Sequence, residues 1–103
     1  MDLVEVIYQC TYSFPAQEMY GLTSQMKRAI VSIPSNIAEG AGRKGNKEFI
    51  QFLYIALWSL AEVETQMILA KRLGYVENIE GILEKIERLT KLIYGLIRYM
   101  KAK

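Results

Sequence analysis

The sequence contains no histidine and only one cysteine, Cys10. Without histidine, imidazole acid–base chemistry and His-ligated metal sites are excluded together. A single cysteine excludes a disulfide scaffold and fits a reducing compartment. Excess charge of one sign is lacking too: thirteen Lys and Arg against eleven Asp and Glu leave a formal net charge of +2. Disordered chains pair high net charge with low hydrophobicity, so a chain that is 51% hydrophobic is not one of them. Long apolar runs are also missing. The longest, Phe49 to Ala61, is broken by Gln51 and Ser59 and has thirteen residues, whereas a membrane-spanning helix takes about 20. Asp2 and Glu5 stand where a signal peptide would carry basic residues. The expectation is a soluble, cytoplasmic protein of one domain, residues 1–103, with no membrane role.

What is present is helical periodicity. Ile79, Ile82, Ile86, Leu89, Ile93, Leu96 and Met100 alternate spacings of three and four, the seam of a bundle helix. Asn78 can cap its start, with Glu77 and Glu80 near the positive end of its dipole; Arg98, Lys101 and Lys103 complement the other end. Gly95 inside it implies either a close neighbour or a tolerated loss of helix propensity. Phe49, Leu53, Ala56, Leu60, Val63, Met67 and Ala70 form a second seam, with Asn46 as candidate N-cap and Gly74 as candidate left-handed C-cap. Leu22, Met26, Ile30, Ile33 and Ile37 form a third, closing at Gly40. Pro34 lies inside it and removes the hydrogen bond to the Ile30 carbonyl, which predicts a kink; Ser32, Ser35 and Asn36 flank it and could satisfy that carbonyl. A short first helix carries Leu3, Ile7, Cys10 and Phe14 and ends at Pro15. There is no hairpin signal, repeat or low-complexity tract. The fold class is all-α: an antiparallel up-and-down four-helix bundle with a short first helix and a proline-kinked second helix.

A bundle helix needs roughly 3 apolar positions in 7 to face its core. Phe49 to Ala61 exceeds that, with Ile50, Phe52, Tyr54, Ile55, Leu57 and Trp58 off the seam. Either the loops and first helix cover this second face, or another subunit does. The first helix is short, so self-association is the reading taken, with Ile50, Tyr54, Leu57 and Trp58 as the candidate subunit contact.

Gly40-Ala41-Gly42-Arg43-Lys44-Gly45 matches the dinucleotide fingerprint in its letters. That motif requires a preceding strand, and here a helix precedes it. Asn46-Lys47 stands where a phosphate-binding loop requires Lys-Ser/Thr. The run reads instead as a helix cap at Gly40 followed by a turn. Arg43, Lys44 and Lys47 cluster around a helix N-terminus, where free backbone N–H groups attract phosphate. With Lys27 and Arg28 upstream, residues 22–47 carry five cations against Glu39 alone. These five are the candidate nucleic-acid contacts; the competing reading is a solvated basic face. Glu62 is placed at the flank of its seam, Glu48 and Glu64 outside it, and no nucleophile is paired with a base. Neither a catalytic residue, a metal site nor a cofactor is expected. The seven tyrosines and Trp58, at helical spacing, read as core or interface rather than as a base-stacking platform, with Tyr94 and Tyr99 at the edges of the last seam.

Particular runs carry a resemblance: Leu22-Thr23-Ser24-Gln25-Met26-Lys27-Arg28-Ala29, then Val31-Ser32-Ile33-Pro34-Ser35-Asn36-Ile37-Ala38-Glu39-Gly40, then Phe49 to Ala56, Ser59-Leu60-Ala61-Glu62, Glu64-Thr65 and Leu73-Gly74-Tyr75. Over nearly its whole length the chain resembles the four-helix bundle proteins encoded by intervening sequences in 23S ribosomal RNA genes. That family is similar to the accessory variability proteins of diversity-generating retroelements. The resemblance implies a four-helix bundle assembled as a homopentameric ring. For the retroelement relatives it implies a basic surface that binds nucleic acid and contacts a reverse transcriptase. It carries no catalytic residues, and Lys27, Arg28 and Arg43 are the basic positions it transfers. Two features depart from the family's pattern: a longer first helix with an aromatic-rich start is usual, and Leu57-Trp58 stand where a polar or basic residue and a glycine are usual. Both bear on the ring more than on the bundle.

The expected function is therefore a non-enzymatic, self-associating bundle whose ring presents a basic surface to RNA or DNA. The alternative is a protein-interaction module that uses an apolar helix face and has no nucleic-acid role.

Overall fold

The structure is a computed structural model that describes residues 2–103. Among the described residues there are no strands. Four α-helices, α1 (Asp2–Thr11), α2 (Leu22–Ala41), α3 (Asn46–Arg72) and α4 (Glu80–Ala102), are accompanied by one 3-10 turn, Ala16–Glu18. The chain runs up and down: α2 lies against α3, α3 against α4, and α1 against α2 and α4. Ser32 and Ser59 meet across α2 and α3, while Gly40 meets Phe49 and Phe52, so the two helices run in opposite directions. The three predicted seams converge on one core. Ile7, Met26, Ile30, Ile33, Leu53, Leu60, Val63 and Met67 are its most completely buried side chains, each of which contributes about 1.5–3 kcal/mol by leaving water.

Helix ends differ from expectation in instructive ways. Gly74 adopts φ +81°, and the Tyr75 N–H reaches the Ala70 carbonyl while the Gly74 N–H reaches that of Lys71. This is a Schellman ending, available to glycine because it has no Cβ. Asn78 accepts the Glu80 N–H at 3.0 Å and so supports the start of α4. Asn46, by contrast, is the first residue of α3; Gly45 precedes it and no side chain caps that end. The first helix stops at Thr11, four residues before Pro15, where Thr11 Oγ1 and Ser13 Oγ donate to the Tyr8 and Cys10 carbonyls.

Gly40 is not a cap. It is buried inside α2, whose last residue is Ala41. A Cβ at Gly40 would lie 2.7 Å from the Phe52 Cβ and 2.8 Å from Phe49 Cδ1. Ser32, Asn36 and Gly40 are spaced by four, which places them on one face of α2. Ser32 Oγ meets Ser59 Oγ at 2.9 Å, and Asn36 donates to Ser32 at its carbonyl (2.8 Å) and hydroxyl (2.9 Å). Asn36 thus bonds the Ser32 carbonyl rather than the Ile30 carbonyl freed by Pro34. The motif run Ser32 to Gly40 is a seam of small and hydrogen-bonding residues along which α3 approaches closely.

Gly95 has the opposite surroundings. A Cβ there would meet only the Arg98 guanidinium, at 3.8 Å. Gly95→Ala is expected to stabilise the chain by roughly 0.5–1 kcal/mol through helix propensity, seen as a higher thermal midpoint. A lower midpoint would reveal a neighbour packed onto that position in an assembled form.

At the end of the bundle where α2 begins, Glu18 ties the 3-10 turn to the α3–α4 loop. Its carboxylate accepts from the Tyr75 hydroxyl at 2.7 Å and from the Leu22 N–H at 3.2 Å. The bond from Tyr75, then that from Leu22, holds the Glu18 carboxyl below its usual range, and the same link raises the Tyr75 phenol. Glu18 therefore contributes stability present above the unfolded carboxyl pKa and lost as pH falls through its lowered value. Tyr75 contributes stability present below the unfolded phenol pKa and lost as pH rises through its raised value. Tyr75→Phe is expected to flatten the pH profile of the unfolding midpoint at both its acid and alkaline ends. An unchanged profile would show that the link carries no stability.

The short first helix leaves α4 partly uncovered. Asp2 pairs with Lys85 at 2.9 Å, and a shallow pocket joins Asp2 and Leu3 to Lys85, Leu89 and Leu92. Towards the C-terminal end of α4, Leu92 is 68% and Tyr99 60% exposed on the same flank.

Candidate nucleic-acid interface

The five predicted basic residues do not form one patch within a single chain. Lys27 and Arg28 lie in the second turn of α2, whereas Arg43, Lys44 and Lys47 follow its other end. At 1.5 Å per residue the two groups are roughly 20 Å apart along the helix. Lys27 is half-buried, its ammonium 5.1 Å from the Tyr8 ring centre, and so turns towards α1. Arg28 lines a polar crevice between α2 and α3 with Gln25, Ser32, Ser59 and Glu62.

The α2–α3 loop is more open. Arg43, Lys44 and Lys47 are all exposed. The first N–H of α3 with a backbone acceptor is that of Phe49, bonded to the Gly45 carbonyl at 3.2 Å. Those of Asn46, Lys47 and Glu48 emerge from the positive end of the helix dipole. Arg43 is less free than its neighbours. Its guanidinium lies 2.6 Å from Glu39, 4.0 Å from Glu48 and 5.3 Å from the Phe52 ring centre. Glu48 stands one residue past the window in which the cations were counted, so the loop's local excess falls mainly on Lys44 and Lys47.

A second basic segment lies beside the first. From Arg88 onward α4 and Lys103, which follows it, carry five cations, Arg88, Lys91, Arg98, Lys101 and Lys103, and no Asp or Glu. The four in the last three turns are exposed, as is Arg88. Because α4 runs antiparallel to α3, its end rises beside the α2–α3 loop: the Lys101 ammonium is 3.3 Å from the Tyr54 hydroxyl and 5.6 Å from its ring centre. This pole of the bundle gathers Arg43, Lys44, Lys47, Arg98, Lys101 and Lys103 against Glu39 and Glu48. A chain of net +2 thus carries a local +4 at one end. The absence of Asp and Glu after Glu87 is the signal in the sequence that marks α4, and the dipole argument alone had accounted for its last three cations.

The four candidate subunit-contact residues separate in the structure. Leu57 is 7% exposed and belongs to the core, Ile50 and Tyr54 are half-buried, and Trp58 is 67% exposed. Glu48, Glu62 and Glu64 are exposed. Among the described residues no three Cys, Asp or Glu side chains gather as a metal site. Cys10 is half-buried, and burial pushes its thiol pKa up, which disfavours the reactive thiolate. By length and composition α3 could cross a membrane. In this fold it is the central helix, with nine buried residues set against α2 and α4.

Comparison with protein families matches residues 1–95 to the 23S rRNA-intervening sequence protein family. The chain belongs to that family. The match spans all of α1, α2 and α3 and most of α4, including the Ser32–Gly40 seam. The family description names no reaction. Comparison with curated proteins finds no match.

Proposed function

We propose that this 23S rRNA-intervening sequence protein is a non-enzymatic cytoplasmic bundle that self-associates, as a homopentameric ring, and presents a basic surface to RNA or DNA. The observation that carries the reading is the polarity of charge, with six cations against two carboxylates at the pole formed by the α2–α3 loop and the end of α4. One chain's excess is small. A ring repeats it around an axis, and phosphate contacts then add. Leu92 and Tyr99 support self-association, because large apolar side chains left in water favour a partner surface.

Fluorescence anisotropy of a labelled, structured RNA across a salt series tests the nucleic-acid half. Affinity is expected to fall linearly in log–log form, with a slope of about −0.7 to −0.9 per phosphate contacted. Native mass measurement at micromolar concentration tests the other half and is expected to show five chains. Flat anisotropy at low salt would leave the basic pole a solvated surface. A partner protein recovered in fixed stoichiometry without nucleic acid would then favour an interaction module, to which the exposed Trp58 is suited. A clean monomer would remove the ring.

A further inference from the structure

Between α3 and α4 lies an aromatic groove, bordered by Lys101 at the end nearest the α4 C-terminus and by Glu64 at the other. Tyr54, Trp58 and Tyr94 form its walls over a floor that includes Leu57 and Ile86, with Glu64 towards the far end. Trp58 and Tyr94 are exposed, Tyr94 by 46%. On α4 the series Lys91, Tyr94, Arg98 and Lys101 is spaced three, four and three, which sets all four on one helix face. Lys101 reaches over the Tyr54 ring. Lys47 precedes Tyr54 by seven residues, two turns, and so falls on that same face of α3. Glu64 lines the lower end of the groove, and the other nearby carboxylates are engaged by cations. Glu39 and Glu48 engage Arg43 on the Phe52 side of α3, and Glu87 holds Lys91 at 3.3 Å at the lower end of the groove. Cations at a helix C-terminus complement the dipole within its last turn. The dipole does not set which face such cations take, and Arg98 and Lys101 share theirs with Tyr94.

We propose that this groove binds an unpaired stretch of RNA, with bases stacked on Trp58 and Tyr94 and phosphates along Arg98, Lys101 and Lys47. The proposal rests on the nucleic-acid reading above and assigns Tyr54 and Trp58 to the ligand rather than to a subunit contact. Cores of protein interfaces are depleted in lysine, and a second copy of the same groove would bring like charges together. Aromatic faces flanked by cations are the arrangement that holds single strands, where every base offers a π-face and the backbone follows the charge. In a duplex those faces are already stacked, so the groove selects unpaired segments.

The test uses the full chain and two labelled probes, an oligouridylate and the same strand annealed to oligoadenylate. The single strand is expected to bind more tightly than the duplex. Trp58 is the only tryptophan, and its emission is expected to be quenched as the single strand binds. Trp58→Ala is expected to weaken single-strand binding roughly ten-fold or more without changing the salt slope, and Trp58→Phe to retain most of the affinity. Arg98→Gln combined with Lys101→Gln is expected to flatten the slope by about 0.7 per charge removed. Lys71→Gln, in the last turn of α3 at the opposite end of the bundle, is expected to leave both quantities unchanged. These positions are exposed, and an unchanged thermal midpoint confirms folding of each variant. If the unaltered protein binds RNA but Trp58→Ala binds equally well, or if the duplex binds as tightly as the single strand, this inference falls and the broader reading stands. If the unaltered protein binds neither RNA nor DNA at low salt, both fall.

Discussion

Gly40→Val is expected to lower the thermal unfolding midpoint by roughly ten degrees or more, and Gly40→Ala by a smaller amount. The cause is the distance between two backbones. Any Cβ at position 40 would fall 2.7 Å from the Phe52 Cβ, an atom fixed to the α3 backbone that cannot swing aside. Phe49 Cδ1, at 2.8 Å, could turn, but the Phe52 contact requires α2 and α3 to separate. Overpacking of this kind costs about 1–3 kcal/mol, and sometimes more. Alanine recovers roughly 1 kcal/mol through helix propensity, whereas valine recovers less and adds two methyl groups to the clash. In a domain of this size each 1 kcal/mol moves the midpoint by about 4–8 °C. Separation would also stretch the Ser32–Ser59 hydroxyl pair, one side of which is anchored by Asn36. Calorimetry or circular dichroism on Gly40→Ala and Gly95→Ala reads the argument directly. The same substitution in two helices is expected to change stability in opposite directions. Stabilisation at both positions would show that Gly40 does not set the spacing of α2 and α3.

Position 40 also shows where the sequence is legible and where it is not. The apolar seams of α2, α3 and α4 are local patterns, with the same period as the helices that carry them, and they can be read without a partner. The end of α3 is local as well, since Leu73-Gly74-Tyr75 contains the residues its turn requires. Gly40 is different. Its neighbours in the chain suggest a helix end, because a glycine ahead of Ala41-Gly42 resembles a cap. Its purpose lies in Phe49 and Phe52, on a helix that only folding brings near. The apolar excess of α3 has a similar origin. This helix packs on α2 and α4 together, so its buried arc is wider than one seam and takes in Leu57. Within Phe49–Ala61, what one chain leaves exposed is narrower than the sequence implies, chiefly Ile55 and Trp58, while Ile68 and Leu69 are exposed further along α3.

The basic surface was legible in part, for a related reason. Lys44 and Lys47 are exposed in the expected loop, but Arg43 faces Glu48, whose side chain returns across the loop. Lys27 and Arg28 add to a sum along the chain, not to a surface. Lys91, Arg98 and Lys101 belong to a helix whose last cations a dipole argument already explains. Their common face with Tyr94 follows from spacing alone. The proximity of Lys101 to Tyr54 requires knowing that α3 and α4 run antiparallel, which makes the end of one the neighbour of the other's beginning.

Gln66→Met is expected to stabilise the chain by roughly 1–2 kcal/mol. Gln66 is 6% exposed within α3, and its Oε1 is buried without a hydrogen-bond partner. A buried polar atom that loses water and gains nothing costs about 1–3 kcal/mol. Methionine has nearly the same length and shape, so it removes that cost without opening a cavity. Exchanging the amide oxygen and nitrogen does not remove the difficulty, because the buried position would then hold an unpaired donor. Adjacent positions on this face of α3 are small or apolar: Ser59 lies seven residues before, Val63 three before and Ala70 four after, all buried. Ser59 already bonds Ser32. The side chain therefore sits in a part of the α2–α3 contact where a thioether is suited and an amide is not. Chemical denaturation of Gln66→Met against the unaltered chain measures the difference, provided both are monomeric under the conditions used. A loss of stability would mean that the amide has a partner in solution, and repeating the comparison at concentrations spanning assembly would show whether a second subunit supplies it.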